Sequence, residues 1–185
     1  MSETSFIKFM RLVWLSGPSS ERTLYRQMAK VKPTRILEIG LGMGVRTLRM
    51  FDVARRYCDS NEISYTGIDL FESRGADSGA LKMKDAYKLL RQQGVKVKLV
   101  PGDALAAMTM TANSLSNTDL IVIDSDIAEA SLDQAWRYFP RMIHENTLIL
   151  RQTRQEDRKA FTRLTSADVD SLIEQAEQQR PAKAA

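Results

Sequence analysis

Three short segments of this chain run almost unbroken in apolar residues: Ile36-Leu37-Glu38-Ile39, Leu120-Ile121-Val122-Ile123 and Leu148-Ile149-Leu150. A strand with one wet face alternates apolar and polar side chains, so a continuous run marks a strand buried on both faces. Segments with helical spacing lie between the strands. Phe6–Leu15 and Arg22–Val31 are broken by Ser16-Gly17-Pro18, with Ser19 or Ser20 to cap the second. A strand at 35–39 leads to a helix over Val45–Tyr57, a strand over Ile63–Ile68 and a helix over Ala80–Gln92 closed by Gly94. Val95–Val100 reads as a strand and Ala104–Met110 as a short helix, then Asp119–Ile123 as a strand and Ala130–Ile143 as a helix. A fifth strand starts at Thr147 and ends near Gln152, and Thr165 or Ser166 caps a last helix through about Gln179. This alternation predicts an α/β fold with a doubly wound, mainly parallel sheet of at least five strands, order 3-2-1-4-5.

The chain has 185 residues, 43% of them apolar, with a net charge of +4, which suits one globular domain and excludes disorder throughout. The expected organisation is a pair of N-terminal helices over 1–32, a core over 33–152, and a C-terminal helix with a frayed tail over 153–185. Only 33 residues follow Gln152, so the C-terminal part reads as shortened, without room for a long antiparallel hairpin; Ala160–Leu164 has the makings of a short strand. One cysteine, Cys58, and one histidine, His144, exclude an internal disulfide and sites built from several thiols or imidazoles. Any metal would be held by carboxylates. Lys8 and Arg11 interrupt the apolar character of Phe6–Leu15, which is too short and too charged for a signal sequence or a membrane span. The expectation is a cytoplasmic protein with no membrane partner. Residues 1–35 carry 7 Lys/Arg against 2 Asp/Glu, whereas residues 36–150 carry 13 against 15. The positive charge therefore belongs to the N-terminal helices, where a wet basic face explains it better than nucleic acid, since no aromatic platform is interleaved with it.

In such a fold the ligand belongs beyond the carboxyl ends of the strands, beside strand one. There stands Glu38-Ile39-Gly40-Leu41-Gly42-Met43-Gly44. Glycine at every second position lets the chain turn sharply into the next helix and lets a ligand approach the backbone. The dinucleotide pattern GxGxxG fails in both registers, meeting Val45 or Thr47, and no Walker-type GK[ST] occurs. The carboxylate of Glu38 further opposes a phosphate and favours a cationic or hydroxyl-bearing ligand.

Glu38-x-Gly40-x-Gly42-x-Gly44 resembles motif I of the class I S-adenosylmethionine-dependent methyltransferases, and later elements follow in that family's order over roughly residues 33–152. Asp69 of Gly67-Ile68-Asp69-Leu70 matches the acid that bonds the ribose hydroxyls. Asp103 of Gly102-Asp103-Ala104 matches the residue beside adenine. Asp119-Leu120-Ile121-Val122-Ile123-Asp124-Ser125-Asp126 looks like strand four of the small-molecule O-methyltransferases. The resemblance implies S-adenosylmethionine as cofactor, held by Glu38, Gly40, Gly42, Gly44, Asp69, Leu70, Asp103 and Ala104. A sulfonium cation suits a carboxylate-lined cleft, and a ribose presents two hydroxyl donors to one carboxylate. Taken singly, Asp69 also suits a turn and Asp103 an N-cap.

Asp124 and Asp126 are the candidate bases for taking the proton of an acceptor hydroxyl; both also suit capping of the helix near Ala130. Metal-dependent relatives use the aspartate matching Asp124 and a pair after strand five. Here that pair is Arg151-Gln152, and a guanidinium opposes a cation, so the expectation is no metal. Ile127 stands where a His or Lys would follow Asp126 in the family. Arg151 and Arg154 read as steering groups for an acidic acceptor or as solvated charge. His144, before strand five, falls at the opposite end of the sheet. Trp14, Trp136 and Phe139 read as core, Met43 as a gap filler or cofactor contact, and Cys58 as unreactive.

The leading expectation is methyl transfer to a small-molecule oxygen or nitrogen. A non-catalytic cofactor-binding module with a regulatory or scaffolding role is the alternative, and an RNA-directed methyltransferase using the basic N-terminal helices the second. Those helices suit a lid over the cleft or a contact with a second subunit in a homodimer.

Overall fold

The computed structural model describes residues 6–15, 19–74, 81–155 and 158–179. The Ser16-Gly17-Pro18 break, the Ala80 helix start and the tail after Pro181 lie outside these residues. Six strands form one sheet: β1 (Arg35–Ile39), β2 (Ser64–Asp69), β3 (Lys96–Pro101), β4 (Leu120–Ile123), β5 (Leu148–Gln155) and β6 (Arg158–Arg163), in the order β3-β2-β1-β4-β5-β6. The first five are parallel, and β6 runs antiparallel to β5. The helices are α1 (Phe6–Met10), α2 (Ser19–Val31), α3 (Val45–Ala54), α4 (Met83–Arg91), α5 (Ala104–Thr111), α6 (Glu129–Ala135) and α7 (Ser166–Gln178). Among the described residues no helix is long and apolar enough to cross a membrane.

The unbroken apolar runs follow from two cores, one on each face of the sheet. Ile36, Leu120, Val122, Leu148 and Leu150 point into a core shared with Leu24 and Met28 of α2 and Met50 and Phe51 of α3. Leu37, Ile39, Ile121, Ile123 and Ile149 point the other way, onto Ala107 and Met108 of α5, Leu132 of α6 and Val169 of α7. Each such side chain, fully buried, contributes roughly 1.5–3 kcal/mol. Glu38 lies among them with no exposed surface, on the face that α3 covers.

Three expectations need correction. The C-terminal part does hold an antiparallel hairpin: β5 continues to Gln155, and β6 pairs with it from Leu150↔Arg163 to Gln155↔Arg158. The short strand expected over Ala160–Leu164 is part of β6 as far as Arg163, but its start at Arg158 and its pairing were hidden because, in Arg158-Lys159-Ala160-Phe161-Thr162-Arg163, Phe161 alone is a large apolar side chain. Trp14 is not core but 53% exposed, lying under the Arg26 guanidinium at 4.5 Å, whereas Trp136 and Phe139 are fully buried against each other. The helix expected over Ala130–Ile143 tightens to a 3-10 helix at Trp136–Arg141, which contains Pro140. At α7, Thr165 caps the helix, accepting from Asp168 N, while the Asp168 carboxylate accepts from Thr165 N in return.

Candidate functional site

The loop after β1 is built by its glycines in different ways. Gly40, at φ +91°, donates its N–H to Ile68 O of β2, and a Cβ there would lie 2.6 Å from Asp124 Cβ and 3.0 Å from Ile127 Cδ1. Glycine is thus required at 40 because Asp124 already fills the space. Gly42, at φ +59°, has no atom of the described residues beyond its chain neighbours within 4 Å of where a Cβ would stand, so here the backbone faces open space among them. Gly44, at φ +73°, turns the chain into α3.

Glu38 faces inward. Its carboxylate accepts hydrogen bonds from Arg46 Nε at 2.7 Å, Thr47 Oγ1 at 2.6 Å and Tyr65 OH at 2.6 Å. Arg46 also donates from Nη1 to Asp124 Oδ2 at 2.5 Å and from Nη2 to Gly40 O at 2.6 Å. One guanidinium, with its side chain only 9% exposed, ties the ends of β1 and β4 to the glycine loop. Burial alone lowers the Arg46 pKa, but the Glu38 and Asp124 carboxylates outweigh it and the net shift is upward. Burial first, and Glu38 second, hold the Tyr65 phenol well above its ordinary range, so it stays a donor.

Asp69 ends β2 and is almost fully buried. Oδ1 accepts from Phe71 N at 3.0 Å and Arg74 Nε at 2.8 Å, and Oδ2 from Gly42 N at 3.0 Å and Arg74 Nη2 at 2.9 Å. Beside it, Leu70 is half-exposed. After β3, Asp103 caps α5: Oδ1 accepts from Ala106 N at 2.9 Å and from Ser131 Oγ at 2.8 Å, contacts that hold its carboxyl below the usual range. Ala104 is buried beneath it.

At the end of β4, Asp124 Oδ1 accepts from Asp126 N at 2.9 Å, with Lys159 Nζ at 3.9 Å. Lys159 of β6 lies 3.2 Å from Asp126 Oδ2, and Arg154 reaches Asp126 Oδ1 at 3.9 Å. Burial raises the Asp126 pKa, but Lys159, with Ser125 and Arg154 behind it, outweighs burial and the net shift is downward. Arg151 pairs with Glu129, and Gln152 accepts from Ser125 Oγ at 3.3 Å. Among the described residues no three His, Cys, Asp or Glu side chains come together to hold a metal ion. His144 lies at the other end of the sheet, 3.3 Å from Asp119 Oδ1 at the entry to β4.

Glu38, the glycines, Asp69, Asp103, Asp124 and Asp126 thus all gather at the carboxyl ends of the parallel strands. No protein-family model and no curated protein matches the sequence. Solved structures do share the architecture. The O-methyltransferase TomG of Streptomyces achromogenes, in complex with S-adenosylmethionine, matches at TM-score 0.55 and 16% identity over 90% of this chain and 69% of its own. A provisionally assigned O-methyltransferase from Klebsiella pneumoniae matches at 0.52 and 18%, over 95% and 76%. Aeropyrum pernix fibrillarin, with natively bound S-adenosyl-L-methionine, matches at 0.51 and 16%, over 80% of this chain and 57% of its own. The fold is that of the Rossmann-like methyltransferases.

Within this methyltransferase fold, sequence reasoning missed three residues at the site: Arg46, Arg74 and Lys159. A signal existed for the first. Arg46 is the second residue of α3, and a cation in a first helical turn opposes the helix dipole unless carboxylates face it. Arg74 and Lys159 carried no such mark.

Proposed function

We propose that this chain binds S-adenosylmethionine beyond the carboxyl ends of β1, β2 and β3 and transfers its methyl group to a small-molecule oxygen or nitrogen without a metal. The observation that carries the reading is the open face of Gly42, whose N–H is tied to Asp69: backbone that a ligand can approach, bordered by a carboxylate suited to a diol. The shared fold and the two cofactor-bound neighbours support the same cofactor. The residues fit it chemically. Asp69 would take the ribose hydroxyls, Leu70 and Ala104 offer apolar surface to adenine, and Asp103 an acceptor for its amino group. Glu38 acts from below, holding the loop through Arg46, Thr47 and Tyr65.

When bound, the cofactor supplies a methyl carbon already activated by a sulfonium, so positioning the acceptor in line provides much of the rate. Asp124 and Asp126 are the proposed proton acceptors for an acceptor hydroxyl. Arg46 on Asp124 supports the absence of a metal, since a guanidinium there repels a divalent cation. The reading is tested by isothermal titration with S-adenosylmethionine and S-adenosylhomocysteine, then by turnover of labelled cofactor against a panel of acceptors with and without chelator. Binding with chelator-resistant turnover is expected; absence of binding at millimolar ligand would overturn it.

One observation favours a second reading, a cofactor-binding module without catalysis: both candidate bases already face cations, Asp124 facing Arg46, and Asp126 facing Lys159 and Arg154. Tight binding with no turnover on any acceptor would select it.

A further inference from the structure

We propose, resting on the cofactor reading above, that Arg74 is a tethered competitor at the cofactor site: its guanidinium holds the acceptor sites of Asp69 that ribose hydroxyls require, and a nucleoside enters only as Arg74 leaves. The basis is a count. An ionised carboxylate offers about four lone-pair positions on two oxygens. Asp69 receives four donors, two on each oxygen: Phe71 N and Arg74 Nε on Oδ1, Gly42 N and Arg74 Nη2 on Oδ2. No acceptor position is left over for a ligand.

Two of the four donors are fixed. Gly42 N belongs to the glycine loop, which is anchored through Gly40 N to Ile68 O and through Gly40 O to Arg46. Phe71 N belongs to a residue at φ +47°, a conformation disfavoured for a bulky side chain and held here by burial of its ring. Moving the first would undo the loop after β1, and moving the second the turn after β2. The other two donors sit on one side chain. Arg74 ends the 3-10 turn Phe71–Arg74, and its side chain is 22% exposed against 3% for Asp69, so the guanidinium can swing into water without disturbing a strand. Its fork matches the two oxygens as a vicinal diol would, which makes it a tethered competitor for that ligand.

Arg46, the buried guanidinium of the site, behaves differently. It is buried, with three oxygens on three different segments, and cannot leave without stranding Glu38. Arg46 is part of the frame, and Arg74 is a cation on Asp69 that can move.

The test is isothermal titration of S-adenosylhomocysteine into wild type, Arg74→Gln, Arg74→Lys and Asp69→Asn, with thermal unfolding of each to establish folding. Removing the competitor is expected to tighten binding about five- to tenfold in Arg74→Gln, the range for one charge-assisted pair at a partly exposed position. Arg74→Lys, with a single-point ammonium, is expected to fall between, and Asp69→Asn to lose binding. In wild type the Arg74 Nε–H resonance is expected to lose its protection from exchange as ligand saturates. Equal or weaker binding by Arg74→Gln, with wild type binding normally, overturns the competitor role and leaves the cofactor reading standing. No binding by wild type or either Arg74 variant overturns both.

Discussion

The guanidinium of Arg46 lies 2.5 Å from the Asp124 carboxylate, joining residues 78 apart in sequence, and the same group reaches Glu38 at 2.7 Å. A buried cation between two carboxylates is held by its partners, and they by it. Removing one member leaves an uncompensated charge out of water, which is costlier than never having buried the pair. Arg46→Gln is therefore expected to lose about 3–5 kcal/mol of stability in urea unfolding. The double variant Glu38→Gln/Arg46→Gln should lose less than the sum of Glu38→Gln and Arg46→Gln, because both charges go together. Simple additivity in this cycle would rule out the coupling.

The glycine loop offers a paired test. Gly40→Ala drives a methyl into Asp124 Cβ at 2.6 Å and also strains the backbone at φ +91°, so it should unfold readily or fail to express. Gly42→Ala meets no atom and bears only left-handed strain, roughly 1–2 kcal/mol. It should fold, and should lose S-adenosylhomocysteine affinity because its methyl stands where the proposed cofactor would approach. Thermal unfolding together with titration separates the two; unimpaired binding by Gly42→Ala would move the ligand elsewhere.

Lys159 holds the Asp126 carboxyl below its ordinary range against the opposing effect of burial. The folded pKa is thus lower than the unfolded one, near 4. Such a group stabilises the fold above the unfolded pKa and loses that contribution as pH falls through the folded value. The stability difference between wild type and Lys159→Met should be present at neutral pH and fade below about pH 4. Urea titrations at stepped pH check this, and a pH-independent difference would exclude the pairing as its source.

Tyr65 donates to Glu38 from a fully buried position, and its phenol is pushed far up by burial and by that carboxylate. Tyr65→Phe should cost about 1.5–3 kcal/mol, the worth of a hydrogen bond to a charged group. Spectrophotometric titration should show Tyr65 ionising only as the protein unfolds in alkali.

The sheet was legible because its central strands carry their burial in plain sight. Ile36 to Ile39 and Leu120 to Ile123 have an apolar partner on each face, so their pattern reads the same from either side. Strand β6 was legible only as a short stretch over Ala160–Leu164, because it is an edge strand with Phe161 as its large apolar side chain, too little for periodicity to give its length or its pairing with β5. The acids of the site could be placed at strand ends from order alone. Their partners could not: the pairs Arg46–Asp124, Arg74–Asp69 and Lys159–Asp126 depend on how α3, a 3-10 turn and β6 come to rest against the sheet. Sequence thus located the carboxylates while leaving open what neutralises them.

The long reach of Arg46 also sets a schedule for biosynthesis. The glycine loop and Glu38 leave the ribosome early, but the carboxylate that completes their anchor arrives with Asp124, and Phe161, whose ring lies 5.8 Å from the same guanidinium, emerges later still. A nascent chain halted after β3 would hold the whole glycine motif while lacking the partner that fixes its shape. Under the proposed function, cofactor capture during translation should accordingly wait for the hairpin of β5 and β6, and nascent chains stalled before it should bind no ligand however complete their motif.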